Sequence, residues 1–289
     1  MAKLSFEDAL VLEETGPGHY RAQNMSSDEL GPTGRPAFIV GGQMLGQAIV
    51  AAHAADPGKR VKSIQAIYAR SGRPALPLDV DVEVMHTGRS VSSVTVTFRQ
   101  PERLVCRALV LLDAGERDVI RYAIDQPPVP GPEAASDLLV GAMASLESAS
   151  DSEVRLIGDP DLLLSGDTPG PAELSVWVRW HVRSQDQTVH QALSAFYTNM
   201  FLIGAAMRPH QGVGYSGAHQ TLSTGPLSHT IVYHEPVDAG QWNLLNVHAV
   251  HAGAGRSFGY GDMVSHEGTL VASFAQVNMI REMPAGSVL

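Results

Sequence analysis

The chain has 289 residues, of which 44% are hydrophobic and 17% charged, with 20 Lys and Arg against 30 Asp and Glu, for a formal charge of −10. That is the composition of a globular chain of one large domain or two. Its longest uncharged apolar stretch near the middle, 200–207, is far short of the roughly 20 residues of a membrane-spanning helix, and the acidic balance excludes a general binder of nucleic acid or anionic membrane. A single cysteine, Cys106, excludes an internal disulfide and a multi-cysteine zinc site, and its apolar neighbours Leu104, Val105 and Ala108 mark it as a buried structural thiol. The N-terminal run carries Glu7 and Asp8 where a signal peptide would be basic and then apolar, so a cytoplasmic location is expected.

In chain order, 16–24 reads as a turn and a short strand, and Gly-Pro-Thr-Gly-Arg-Pro at 31–36 as a loop. From 38 to 55, Met44, Ala48, Ala51 and Ala52 fall at helical spacing while the other faces are also apolar or small, which predicts a helix buried nearly all round. Four strands follow, over 61–69, 78–85, 90–98 and 104–113; the second alternates apolar and acidic residues, as expected of a sheet with one wet and one covered face. The stretch 126–135 is proline-rich, and 136–172 reads as a surface linker with one short helix. The second half repeats the plan, with a strand at 173–183, a long helix at 187–207, and strands near 228–234, 242–251, 257–265 and 270–280. Gly88-Arg89-Ser90 matches Gly255-Arg256-Ser257, and Leu104-Val105-Cys106 matches Leu270-Val271-Ala272, at offsets of 167 and 166 residues. The matched element order points to an internal duplication, with repeats at 1–125 and 173–289 joined by 126–172.

Several motifs carry chemistry in other settings. Gly255-Arg256-Ser257-Phe258-Gly259 fits the nucleophile elbow G-x-S-x-G, but strand-like residues follow it and its pattern recurs in the other repeat, so a hairpin turn is expected. Ser165-Gly166-Asp167-Thr168-Pro169 reads as a turn. Nine of twelve histidines follow residue 180, yet His248 and His251, three apart in a strand, should face opposite ways, and no helical carboxylate–histidine pair occurs; no metal site and no cofactor are expected. Gly41-Gly42-Gln43 opens the first buried helix, where free N–H groups and close backbone approach suit a substrate carbonyl as well as tight packing. His190, Gln191, Asn199 and Gln276 are polar residues on buried elements; they either satisfy one another or order a water and a carbonyl.

The runs Gly41-Gly42-Gln43-Met44-Leu45-Gly46-Gln47-Ala48, Val189-His190-Gln191-Ala192-Leu193, Arg208-Pro209-His210, Tyr233-His234-Glu235-Pro236, and 268–273 leading to Gln276 and Arg281 resemble the bacterial acyl-CoA thioesterase II family. The resemblance implies an α+β double hotdog, two tandem repeats each with a long helix wrapped by an antiparallel sheet. It implies hydrolysis of fatty acyl-CoA by a water positioned by Asp, Thr or Ser, and Gln, with no acyl-enzyme. Carried over, the Gln falls on Gln276 and the Asp on Asn199. Strict alignment puts Pro226 at the Thr/Ser position and Ser228 where the family has Asp, leaving Ser228 or Thr224 as the assisting hydroxyl. Gln65 stands where the family usually has His. An amide cannot accept a proton from water as a carboxylate does, so the base is either relocated, to a histidine such as His229 or His234, or lost. The expected substrate contacts are Gly41, Gly42, Gln43 and Arg70, the expected partner is acyl-CoA, and the resemblance implies a homo-oligomer. A double hotdog that binds an acyl ligand without turnover is the alternative.

Overall fold

The computed structural model describes residues 4–26, 37–101, 103–126, 128–137 and 151–283; the loop expected at 31–36 lies outside them. Ser5 caps a single helical turn, α1 (Phe6–Ala9), by accepting from the Asp8 N–H. A hairpin follows, β1 (Leu12–Gly16) and β2 (His19–Ala22), turning at Gly18 with φ +71°. The buried helix α2 (Gly41–Ala55) leads to β3 (Arg60–Tyr68), β4 (Leu78–Thr87), β5 (Val91–Gln100) and β6 (Arg103–Asp113). The segment expected as a linker supplies the short helix α3 (Pro160–Ser165), but also two strands, β7 (Ser136–Asp137) and β8 (Ser152–Leu156), that extend the second half of the sheet by pairing outward from β9 (Glu173–Trp180).

The long helix expected at 187–207 is two helices, α4 (Gln187–Thr198) and α5 (Leu202–Met207). Asp186 starts α4 by accepting from the Thr188 N–H at 2.8 Å. It ends where the Thr198 hydroxyl turns inward, its Oγ1 2.8 Å from the Ala195 carbonyl and 2.9 Å from His229 Nε2, and Asn199 spends its side-chain amide on tertiary partners. The chain closes with β10 (Leu222–Tyr233), β11 (Asn243–Gly253), β12 (Arg256–Ser265) and β13 (Leu270–Glu282).

The 13 described strands form one sheet in the order β1-β2-β4-β5-β6-β3-β10-β13-β12-β11-β9-β8-β7, and every pairing is antiparallel. The repeats join where β3 pairs with β10, Ile64 opposite Ile231. Helix α2 packs on β3 to β6, α5 on β11 to β13, and α2 and α4 lie against each other. This is the expected double hotdog. Gly42 and Gly46 make the helix contact possible. A Cβ at Gly42 would lie 2.6 Å from the Phe196 carbonyl oxygen, and one at Gly46 3.0 Å from that of Ala192. Phe6, Trp180, Phe196 and Tyr197 pack ring against ring beside this seam, with centroids 4.8–5.5 Å apart. Among the described residues no helix is long and apolar enough to cross a membrane.

One local reading holds and one changes. Ala254 and Gly255, at φ +51° and +73°, form the β11–β12 hairpin turn, as expected; Arg256 and Ser257 lie in the strand after it. His248 and His251 do not face opposite ways. A bulge between Ala249 and His251 pairs them with Tyr260 and Phe258, two apart on β12, and so puts both on one face.

Candidate active site

Strand alternation and one bulge decide which side chains of β10 reach the helices. Tyr233, Ile231 and His229 face inward, opposite Ala272, Phe274 and Gln276 of β13. A bulge between Pro226 and Ser228 shifts the register, so that Pro226 and Thr224 face inward beyond it, opposite Asn278 and Ile280. Ser228 pairs with Ile67, which is 56% exposed, and so lies on the outer face. It is not brought to the site.

The inward residues meet the start of α2 and the end of α4. Asn199, at the C-cap of α4, donates from Nδ2 to Gln276 Oε1 at 3.0 Å and to the Tyr68 hydroxyl at 3.3 Å. Tyr68, at the end of β3, donates in turn to the Gly41 carbonyl at 3.2 Å. Gln276 Nε2 donates to Asn278 Oδ1 and to the Asn199 carbonyl, and Asn278 Nδ2 donates to Ser257 Oγ at 3.2 Å. His229 Nδ1 donates to Gln276 Oε1 at 2.6 Å, which fixes the tautomer and leaves Nε2 an acceptor 2.9 Å from Thr198 Oγ1. Complete burial depresses the His229 pKa to about 4, against the opposing pull of the Gln276 bond, so the imidazole is neutral near pH 7. Burial also raises the Tyr68 hydroxyl well above its usual range, keeping it a donor.

The two glycines at the head of α2 differ in use. A Cβ at Gly41 would lie 2.7 Å from Asn199 Oδ1, 3.0 Å from the Pro226 ring and 3.1 Å from the Tyr68 ring, so Gly41 faces the cluster; Gly42 faces α4. The helix start has no side-chain cap, and Val40 is its N-cap. Where strict alignment with the thioesterase pattern puts a hydroxyl, the Pro226 ring fills the space against Gly41. Thr224 lies two residues further along the same face, its Oγ1 3.3 Å from His219 Nε2.

Other expected contacts are used elsewhere. Gln43 accepts from the Met25 N–H and donates to Asn24 Oδ1, at 3.1 and 2.9 Å, tying α2 to the segment after β2. Arg70 is exposed beyond β3, and its side chain has no hydrogen bond or ion pair among the described residues. Arg208 donates to the carbonyls of Leu162 and Thr168, and Lys62 to that of Tyr233. His190 accepts from the Ala239 N–H, and Gln191 donates to the Val61 carbonyl. His234 bonds Ser273 away from the cluster. A cavity of about 400 Å³ lined by Leu10, Tyr20, Val50 and Val189, and one of about 620 Å³ lined by Arg179, His190 and Asp238, do not include Asn199, Gln276 or Gly41.

Sequence reasoning brought Asn199, Gln276 and Gly41 together, and named His229 as one site for a displaced base. It missed Tyr68, Thr198 and Asn278. Tyr68 was reachable, because the β3 alternation puts Ile64, Ala66 and Tyr68 on one face and Tyr68 is the polar one.

Family models for the acyl-CoA thioesterase N-terminal and C-terminal domains match residues 31–112 and 124–280. Acyl-CoA thioesterase 2 of Haemophilus influenzae is 25% identical over 258 residues, 84% of this chain and 87% of that protein. Human acyl-coenzyme A thioesterase 8 is 25% identical over 264 residues, 85% of this chain and 81% of its own length. Among solved structures, acyl-CoA thioesterase II from Mycobacterium marinum superposes with a TM-score of 0.78 at 23% identity, covering 98% of this chain and all (100%) of that one. A hot dog protein of unknown function from Alicyclobacillus acidocaldarius gives 0.74 at 18% identity, covering 96% of this chain and 97% of that one.

Proposed function

The chain belongs to the acyl-CoA thioesterase II family, and from that premise we propose that it hydrolyses fatty acyl-CoA to free acid and CoA with a water held at the head of α2. The observation that carries this reading is the closed hydrogen-bonded set of Asn199, Gln276, Tyr68 and Gly41. Buried polar groups cost about 1–3 kcal/mol each when unpaired. Here they converge on an uncapped helix start contributed by the other repeat.

In this reading the thioester carbonyl sits at the α2 N-terminus, where first-turn N–H groups and the helix dipole stabilise the oxyanion as the water adds. Asn199 Oδ1, which has no partner within the set, holds that water, and Gln276, itself held by His229 and Asn278, fixes Asn199 from behind. Neither amide accepts a proton, and His229 is engaged at both nitrogens, so these groups orient the water and do not deprotonate it. The tetrahedral intermediate then expels the CoA thiolate. The exposed apolar side chains Ile67, Leu109, Phe258 and Tyr260 on the outer face of the sheet suit association with a second copy, a point that light scattering after gel filtration tests.

A second reading, acyl-ligand binding without turnover, is favoured by one observation: the Pro226 ring stands against Gly41 where the thioesterase pattern has a hydroxyl. A panel of short, medium and long acyl-CoAs with a thiol reagent that reports free CoA separates the two. Turnover by the native protein that falls at least about 100-fold in Gln276→Ala supports hydrolysis. Saturable binding with no CoA released supports the second reading.

A further inference from the structure

We propose that Thr224 and His219 form a hydroxyl–imidazole pair that serves this hydrolysis, Thr224 contacting the attacking water and His219 acting behind it as a positioning residue. The proposal rests on the thioesterase reading and supplies the proton acceptor that reading lacks. Thr224 shares the inward face of β10 with Pro226, two residues away and thus about 7 Å along the strand. The Pro226 ring touches the Gly41 position, so the inward face of β10 that carries Thr224 continues to the start of α2.

His219 is held for a purpose beyond making a turn. Its backbone sits at φ +59°, a conformation that L residues other than Asn, Asp and His seldom adopt. Its N–H is bound to the Leu222 carbonyl at 2.8 Å, and its ring packs on Phe38 at 4.5 Å between centroids, three residues before Gly41. Nε2 faces Thr224 Oγ1 at 3.3 Å, whereas Nδ1 is buried with no partner among the described residues. A turn alone is better served by Asn or Gly, with no orphaned ring nitrogen. The buried, unpaired nitrogen is the kind of local conflict that functional sites retain.

The alternatives are closed. Asn199 is an amide, and His229 has both nitrogens bonded. His234 lies on Ser273, and no carboxylate bonds any member of the cluster among the described residues. The step balances as follows. The water oxygen bonds the carbonyl carbon and its proton passes to Thr224 Oγ1, while the Thr224 proton passes to His219 Nε2. The C–S bond then breaks, and the imidazolium returns its proton by the same route to the departing thiolate, leaving acid, CoA thiol and neutral His219.

Three variants test this: Thr224→Val, Thr224→Ser, and His219→Asn, which suits the left-handed backbone. Thr224→Val and His219→Asn should each lower kcat about 100-fold with KM held within about twofold. The double variant should be no slower than either alone, and Thr224→Ser should recover most of the rate. Full kcat in Thr224→Val, or losses that multiply in the double variant, would overturn the pairing. If the native protein releases no CoA, the hydrolase reading itself fails, and the pair is judged without turnover. A thioether analogue of acyl-CoA, which cannot be hydrolysed, should move the 15N signals of the His219 ring in the native chain and not in Thr224→Val. Signals that do not respond, or that respond in both, overturn the proposal.

Discussion

Alanine placed at each of two adjacent glycines should separate folding from chemistry. At Gly42 the new methyl would stand 2.6 Å from the Phe196 carbonyl oxygen, 2.9 Å from its Cα and 3.1 Å from its carbonyl carbon. All three are backbone atoms of α4, and no rotamer relieves the clash. The two buried helices must part by several tenths of an ångström, and overpacking of this kind costs about 1–3 kcal/mol or more. Against unyielding backbone the upper figure applies, and the intrinsic preference of a helix for Ala returns at most about 1 kcal/mol, so a net loss of about 2 kcal/mol is expected. For a chain of this size that is a fall in Tm of roughly 4–8 °C. At Gly41 the nearest atom, 2.7 Å away, is the Asn199 amide oxygen, the movable end of a side chain, with ring atoms of Pro226 and Tyr68 at 3.0 and 3.1 Å. Gly41→Ala should therefore lose less stability, about 1 kcal/mol, while displacing Asn199 and lowering kcat at least tenfold. Thermal melts followed by circular dichroism, beside steady-state CoA release at a temperature where all forms are folded, read both quantities. A Gly42→Ala protein that melts with the native chain, or a Gly41→Ala protein that is the less stable of the two, would refute the assignment of the glycines.

Three further outcomes follow from the same geometry. The folded pKa of His229, about 4, lies below the ordinary 6.5, so between those values the unfolded chain binds more protons; the stability this group contributes is present above pH 6.5 and is lost as pH falls toward 4, by about 3 kcal/mol, and urea unfolding of His229→Asn against native protein across pH 4–7 should show a flatter dependence in the variant. Tyr68→Phe removes the hydroxyl between Asn199 and Gly41; a loss of about 1 kcal/mol in urea unfolding and a fall of about tenfold in kcat are expected, and an unchanged kcat would show that Asn199 needs no support from β3. Asn199→Asp sets a carboxylate facing Gln276 Oε1, so the Gln276 amide must turn over to donate; with that acceptor supplied, kcat should rise, and a Thr224→Val change made on top of Asn199→Asp should cost less than it does in the native chain.

Much of the fold was legible because the two repeats carry strong periodic signals. The uncharged stretch opening at Gly41 reads as a buried helix, and the apolar–acidic alternation from Leu78 onward as a strand with one wet face. What was not legible depends on single residues acting against their surroundings. Nothing in the apolar run through Phe201 and Ile203 marks the break between α4 and α5; that break follows from partners of Asn199 that are distant in sequence, Tyr68 and Gln276. β8 pairs with β9 in a stretch whose Ser, Asp, Gly and Pro suggest a linker, and its Val154 and Leu156 are too few to show a period. Bulges defeat simple alternation twice. One leaves Ser228 on the outer face, next to inward His229, while turning Pro226 and Thr224 inward, and the other brings His248 and His251 to one face. Gln43 reads as a site residue because it follows Gly41 and Gly42, but a helix turns each successive residue by about 100°, and that rotation carries it to Met25 and Asn24.

The joining of β3 to β10 has an arithmetical consequence. The pairing relates the halves by an approximate two-fold, which takes Tyr68 to Tyr233, 165 positions on. Tyr233 donates to the Gln191 carbonyl at 2.7 Å as Tyr68 does to that of Gly41. The same operation takes His229 and Gln276, a facing pair, to Ile64 and Val110, also a facing pair, and Asn199, eight residues beyond Gln191, to Ile49, eight beyond Gly41. Ile49, Ile64 and Val110 are all buried in the core. The ancestral symmetry is thus broken chemically but kept geometrically, with one pole of the molecule wired with amides and the other filled with hydrocarbon. Ligand titration should reach its end-point at a single equivalent per chain, and any assembly of such chains should have a valence equal to its number of subunits, half the number of its hotdog units.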